Sequence, residues 1–172
     1  MRKQKPADGG GLTELMQEAY NAIGALTPMK NSDCGGLCGK ICCEGKDAGM
    51  LLFPGEEPVF RGLRGFAVKK IRYMGVPGAK LLLCDGVCDR EMRPFACRMF
   101  PVAPKIDENG GVSVQPDIRG RQMCPIWDLK KTDKAFVEAV GNAFGILAKD
   151  EAAMALMRLI SAEIAELKRF FI

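Results

Sequence analysis

The chain has 172 residues, 25 of them Lys or Arg against 21 Asp or Glu, and no histidine. That length suits one domain, and 48% hydrophobic residues can build a core without cross-links, which argues against a disulfide scaffold. The missing histidine excludes mixed Cys–His and all-His metal sites, as well as Cys–His and Ser–His–Asp nucleophile systems. A soft metal would have to be held by cysteine, with Asp or Glu as minor additions.

The formal charge of +4 suggests weak attraction to anions. Eight thiolates with two divalent ions would bring it to zero, so the basic excess reads first as counter-charge for a thiolate–metal core. The N-terminus is basic, with no apolar run behind it that would make a signal peptide. No stretch reaches the roughly 18–20 apolar residues of a membrane span. These features predict a cytoplasmic protein, where thiols stay reduced and clustered cysteines point to metal or redox chemistry.

Residues 1–11 read as a disordered tail, and 12–172 as a single Cys-rich domain with a metal core at about 30–128 and a helical cover at 130–172. Thr13 caps a helix in which Leu12, Leu15, Met16, Ala19, Tyr20, Ile23 and Leu26 recur at helical spacing until Pro28. Four cysteines then fall within ten residues: Cys34, Cys38, Cys42 and Cys43. The first three are spaced to line one helical face. Gly35, Gly36 and Gly39 instead predict tight turns, whose bare backbone can approach and hydrogen-bond the sulfurs. Neighbouring Cys42 and Cys43 are not expected to point the same way, so either they serve two different sites or only one is a ligand.

Residues 50–53 and 59–60 read as two strands joined by a Pro-Gly turn. In 61–73, basic residues alternate with Phe66, Val68, Ile71 and Tyr73, as expected of a strand with its charges in water. Residues 80–83 form a buried strand entering Cys84, and Asp85-Gly86 turns the chain so that Cys84 and Cys88 can face one ion. Pro94 opens a short helix carrying Cys97, flanked by Arg93 and Arg98 and closed by Pro101. Residues 102–106 and 112–114 make a hairpin. Cys124 follows, with Trp127, the only tryptophan, placed to shield the metal core. Two amphipathic helices, 132–148 and 150–170, finish the chain. The fold class expected is α+β, an irregular metal-centred core with short antiparallel strands packed by one N-terminal and two C-terminal helices.

Thiolate selects zinc, iron–sulfur clusters or Cu(I). Zinc and cubane clusters each take four such ligands, so eight cysteines permit two centres. The candidate ligands are Cys34, Cys38, Cys42, Cys43, Cys84, Cys88, Cys97 and Cys124. One division groups Cys34, Cys38 and Cys42 with a downstream sulfur, and Cys43 with some of the rest. Clustering this dense is not incidental, and the absence of a Cys-x-x-Cys pair disfavours a dithiol redox enzyme.

The segment 34–43, the run Leu52-Phe53-Pro54-Gly55-Glu56-Glu57, and above all Arg93-Pro94 through Cys97-Arg98-Met99-Phe100-Pro101 resemble the CxxCxxCC (YkgJ-like) family of zinc- or iron-chelating proteins. The resemblance covers roughly 30–128. It departs in the first motif, where the gaps here are three residues. It implies metal chelation, by zinc or an iron–sulfur cluster, without a settled activity. Flagellin lysine-N-methylases look similar in their cysteine segment, which supplies the alternative of an iron–sulfur enzyme. A nucleic-acid-binding zinc module built on residues 61–80 is the remaining alternative, ranked below a solvated strand. No membrane partner is expected.

Overall fold

The computed structural model describes residues 12–30, 32–43, 49–86 and 90–171. The expected tail at 1–11 and the predicted ligand Cys88 lie outside the described residues. Among those described, six α-helices and two antiparallel sheets make a mixed α+β fold.

Helix α1 (Glu14–Ile23) follows Thr13 and stops where Gly24 takes φ +53°. Its stripe of Met16, Ala19, Tyr20 and Ile23 is buried, as the helical spacing requires. That stripe packs on α5 (Lys134–Leu147), whose N-cap Asp133 accepts from the Phe136 N–H at 3.0 Å. Helix α6 (Glu151–Phe171) lays Met157, Ile160 and Ile164 on the same core. A hairpin of β4 (Val102–Ile106) and β5 (Val112–Pro116) is clamped between these two helices.

The second sheet has the order β1–β3–β2, all antiparallel, from β1 (Gly49–Leu52), β2 (Phe66–Tyr73) and β3 (Val76–Cys84). In β2, Phe66, Val68, Ile71 and Tyr73 are half-buried while Ala67, Lys69, Lys70 and Arg72 are exposed. The period-two alternation of the sequence is therefore a strand with its charges in water. One expected strand is absent. Residues 59–60 belong to a helical turn, α3 (Glu57–Phe60), because Pro58 sets a helical φ at the first turn and Phe60 drops into a small cluster with Leu52, Leu63 and Leu82.

The main core is apolar carbon rather than sulfur. Phe53, Phe95, Phe136 and Phe144 are almost wholly buried. Phe95 is the hub, its ring centroid 5.0 Å from Phe53, 6.0 Å from Tyr20 and 6.1 Å from Phe144. Burying such rings contributes on the order of 2–3 kcal/mol each. The expectation of a core centred on metal is corrected accordingly: the helices and the hairpin bury a hydrophobic core of their own, and the cysteines lie beside it.

Candidate metal centre

Four backbone segments deliver the described cysteines. The first begins at a turn in which the Thr27 hydroxyl donates to the Ser32 carbonyl at 2.7 Å and accepts from the Met29 N–H at 3.2 Å. Asp33 Oδ1 then accepts from the Gly35 N–H at 3.0 Å, starting α2 (Gly35–Cys38). This helix lasts one turn. Gly39 and Lys40 both take φ +64°, so the chain leaves the helical path and re-enters it as a 3₁₀ turn at Ile41–Cys43. The glycine spacing thus breaks the i, i+4, i+8 face after Cys38.

The second segment is the end of β3, where Cys84 pairs with Phe66. Gly86, at φ +76°, lies so close to the first segment that a Cβ there would meet the Cys43 carbonyl oxygen at 2.5 Å. Only glycine fits both the conformation and the contact, and that contact brings the two cysteine knots together. The third segment carries Cys124, whose N–H donates to the Gly120 carbonyl at 2.7 Å. Its loop is held by the Thr132 hydroxyl, which donates to the Ile126 carbonyl at 2.8 Å.

Cys97 rides on α4 (Phe95–Met99). Pro94 takes the N-cap position, and the carboxylate of Glu56, wholly buried, accepts from the Phe95 N–H at 2.7 Å. Glu56 is a positioning residue that motif reading missed. Its signal was faint: a glutamate two residues after Pro54, beside the buried Phe53.

These segments line two cavities. The first, about 20 Å³, is lined by Cys34, Cys38, Cys42 and Cys124 together with Phe100 and Ile126. The second, about 80 Å³, is lined by Cys34, Cys42, Cys43, Cys84 and Cys97, with Arg90 and Arg93 in its wall. All seven described cysteines therefore border one cavity or the other, across a sequence span of ninety positions. Trp127 borders neither of these two cavities and packs against the apolar core; a shielding role falls instead to Phe100, which lines both.

Cys34, Cys38, Cys42, Cys43, Cys84 and Cys124 carry free thiols. Burial, with Asp33 and Cys38 nearby, pushes the Cys34 thiol up. Burial also raises Cys124, which senses Cys34 and Cys38. The Cys42 thiol donates to Cys43, against the expectation that the two diverge. That hydrogen bond, then Arg93 and Lys40, holds Cys43 down to about 6, while Cys42 is pushed up. Among the described residues no group of three or more Cys, Asp or Glu side chains is disposed, as it stands, to hold a metal ion.

Compared with family profiles, curated proteins and solved structures, the chain matches none. Among the described residues no helix is long and apolar enough to cross a membrane.

Proposed function

We propose that this protein binds soft metal through its cysteines, in two centres, as the resemblance to the CxxCxxCC family implies. The observation that carries the reading is the small cavity: Cys34, Cys38 and Cys42 share it with Cys124, more than eighty positions away. Four thiols around one space match the donor number and softness that zinc and iron–sulfur centres require. Each cysteine has one χ1 torsion that moves its sulfur between staggered wells, so closing the four on an ion calls for side-chain rotation.

The two cavities differ in their thiols. Filling the smaller one with a soft ion would clip the 34–42 turn to the 124 loop through Cys34, Cys38, Cys42 and Cys124. The second cavity, about 80 Å³, offers Cys43, Cys84 and Cys97, and its size admits either zinc or a cluster. The sequence supplies Cys88 as a further thiol for it. Arg90 and Arg93 would offset the excess negative charge of a thiolate centre there.

Elemental analysis and an optical spectrum of anaerobically purified protein test this reading. Zinc near two equivalents without visible absorption, or one zinc plus a dithionite-bleachable band, is the expected result. Protein that is colourless and metal-free after anaerobic purification, and that takes up no zinc on reconstitution, would overturn it.

An enzymatic role for the second centre would need substrate access beside it. The nucleic-acid alternative loses ground because Lys69, Lys70 and Arg72 are exposed on a strand whose aromatic residues turn inward.

A further inference from the structure

A third and larger cavity borders none of the described cysteines. It is a cleft of about 510 Å³ bordered by α1, α3 and the 90–98 segment. Its lining combines three guanidiniums, Arg90, Arg93 and Arg98, with the apolar side chains of Leu12, Val59, Phe60 and Met92. Glu91 is the one carboxylate among its described lining residues.

Arg90 and Arg98 are oriented by backbone carbonyls, which carry no net charge. Arg98 Nε donates to the Arg93 carbonyl at 3.1 Å and Nη2 to the Glu91 carbonyl at 2.7 Å. Its plane lies over Tyr20, 4.3 Å from the ring centroid. Arg90 Nη2 donates to the Leu26 carbonyl, while Arg90 Nε is buried and makes no hydrogen bond. Neither Arg90 nor Arg98 belongs to any ion pair among the described residues. Burial and the neighbouring cations both push Arg90 below the usual arginine range.

Crowding cations at a partly buried wall is costly unless anions compensate them, and Arg98 feels the carboxylates of Glu56 and Glu91. The thiolates meet part of that need for Arg90 and Arg93, which also border the larger sulfur cavity. Arg98 does not border it, and the buried Arg90 Nε has no acceptor among the described residues. Arginine forks recognise carboxylate and phosphate by paired hydrogen bonds. The adjoining apolar wall would receive a hydrocarbon portion at the same time.

We infer that this cleft binds a small amphipathic anion, its carboxylate or phosphate on the Arg90–Arg93–Arg98 group and its apolar body against Leu12, Val59, Phe60 and Met92. The cleft borders no cysteine, but it shares Arg90 and Arg93 with the larger sulfur cavity, so Met92→Asp, which leaves both arginines in place, is the variant that separates the two readings.

Calorimetric titration of the full chain with octanoate, octyl phosphate, inorganic phosphate and octylamine tests it. At least one of the two octyl anions binds, and which is tighter decides between carboxylate and phosphate. Inorganic phosphate binds more weakly, and octylamine does not compete. Arg90→Gln weakens binding about tenfold or more, the loss expected for one charge-assisted hydrogen bond. Met92→Asp, which puts a second carboxylate into the wall, weakens it comparably without touching the arginines. Circular dichroism confirms that each variant is folded. Failure of both octyl anions to bind at millimolar concentration, equal binding of octylamine, or unchanged affinity in folded Arg90→Gln and Met92→Asp protein would overturn the inference. Metal content measured on the same samples lets the metal reading fail or stand separately.

Discussion

The Glu56 carboxylate reaches thirty-nine positions along the chain to accept the backbone N–H of Phe95 at 2.7 Å. Its other oxygen accepts the Phe53 N–H at 2.6 Å, while the Tyr20 hydroxyl donates to the same oxygen as Phe95. One buried side chain thus ties α1, the end of β1 and the first turn of the helix that carries Cys97. Glu56→Ala would leave the buried Phe53 and Phe95 N–H groups without an acceptor, each costing about 1–3 kcal/mol, and the Tyr20 hydroxyl with the Arg93 carbonyl at 3.3 Å. Chemical denaturation should show a loss of about 2–6 kcal/mol, in the range that unfolds a marginal domain. A loss under about 1 kcal/mol would show that α4 is held by packing alone.

The same group predicts a pH dependence. Burial outweighs the three hydrogen bonds and pushes Glu56 up to about 7, from an ordinary value of 4.5. Between those values the folded chain holds a proton that the unfolded chain has released, so stability falls as pH rises through this window. The contribution is complete below about pH 4.5 and gone above about pH 7, on the order of 3 kcal/mol in all. Other carboxylates act in the opposite sense on acidification, so the informative quantity is the difference between wild type and Glu56→Gln. Their denaturation midpoints should converge as pH rises from 5 to 8. Parallel curves would assign Glu56 an ordinary ionisation.

Metal stoichiometry should follow the cavities. Cys124→Ser removes a thiol that borders only the small cavity, and Cys84→Ser one that borders only the larger. Each variant should lose one equivalent by elemental analysis, and the double variant both. If Cys124→Ser abolished all metal, a single shared centre would replace the division drawn above.

Thiol reactivity gives a test on metal-stripped, reduced protein. The hydrogen bond from Cys42, then Arg93 and Lys40, holds Cys43 down to about 6. Thiolate is the reactive form, so iodoacetamide at pH 6.5 should label Cys43 first and Cys42 last, as read by peptide mass spectrometry. Reconstitution with zinc should suppress the labelling of Cys43. Faster labelling of Cys42 would reverse the direction of that hydrogen bond.

The helices were legible because their apolar residues recur at 3.6, with Thr13 at the start of the first, although Gly24 ends that helix at Ile23, short of Pro28. The hairpin at 102–116 and the basic strand at 66–73 were legible from alternation and from the Gly110 turn. Residues 57–60 were not, because a two-residue apolar run carries no period of its own, and the burial of Phe60 beside Leu82 settled the matter. The Arg119 network was equally invisible. Arg119 grips Asp117 at 2.7 Å and Glu163 at 2.7 Å, and Tyr73 donates to Glu163 at 2.6 Å, joining β2 to α6 through residues far apart in the chain.

Composition and local pattern set the donor chemistry the chain has on offer: no histidine, and eight cysteines of which four fall within ten residues. Grouping those sulfurs was beyond the sequence, because spacing along a chain says nothing about which turns meet. That was decided by Gly86 seating against the Cys43 carbonyl, by Glu56 fixing the helix of Cys97, and by the loop that swings Cys124 over the 34–42 turn. Each is a contact between remote segments, and its energy exists only once the apolar core has brought them together.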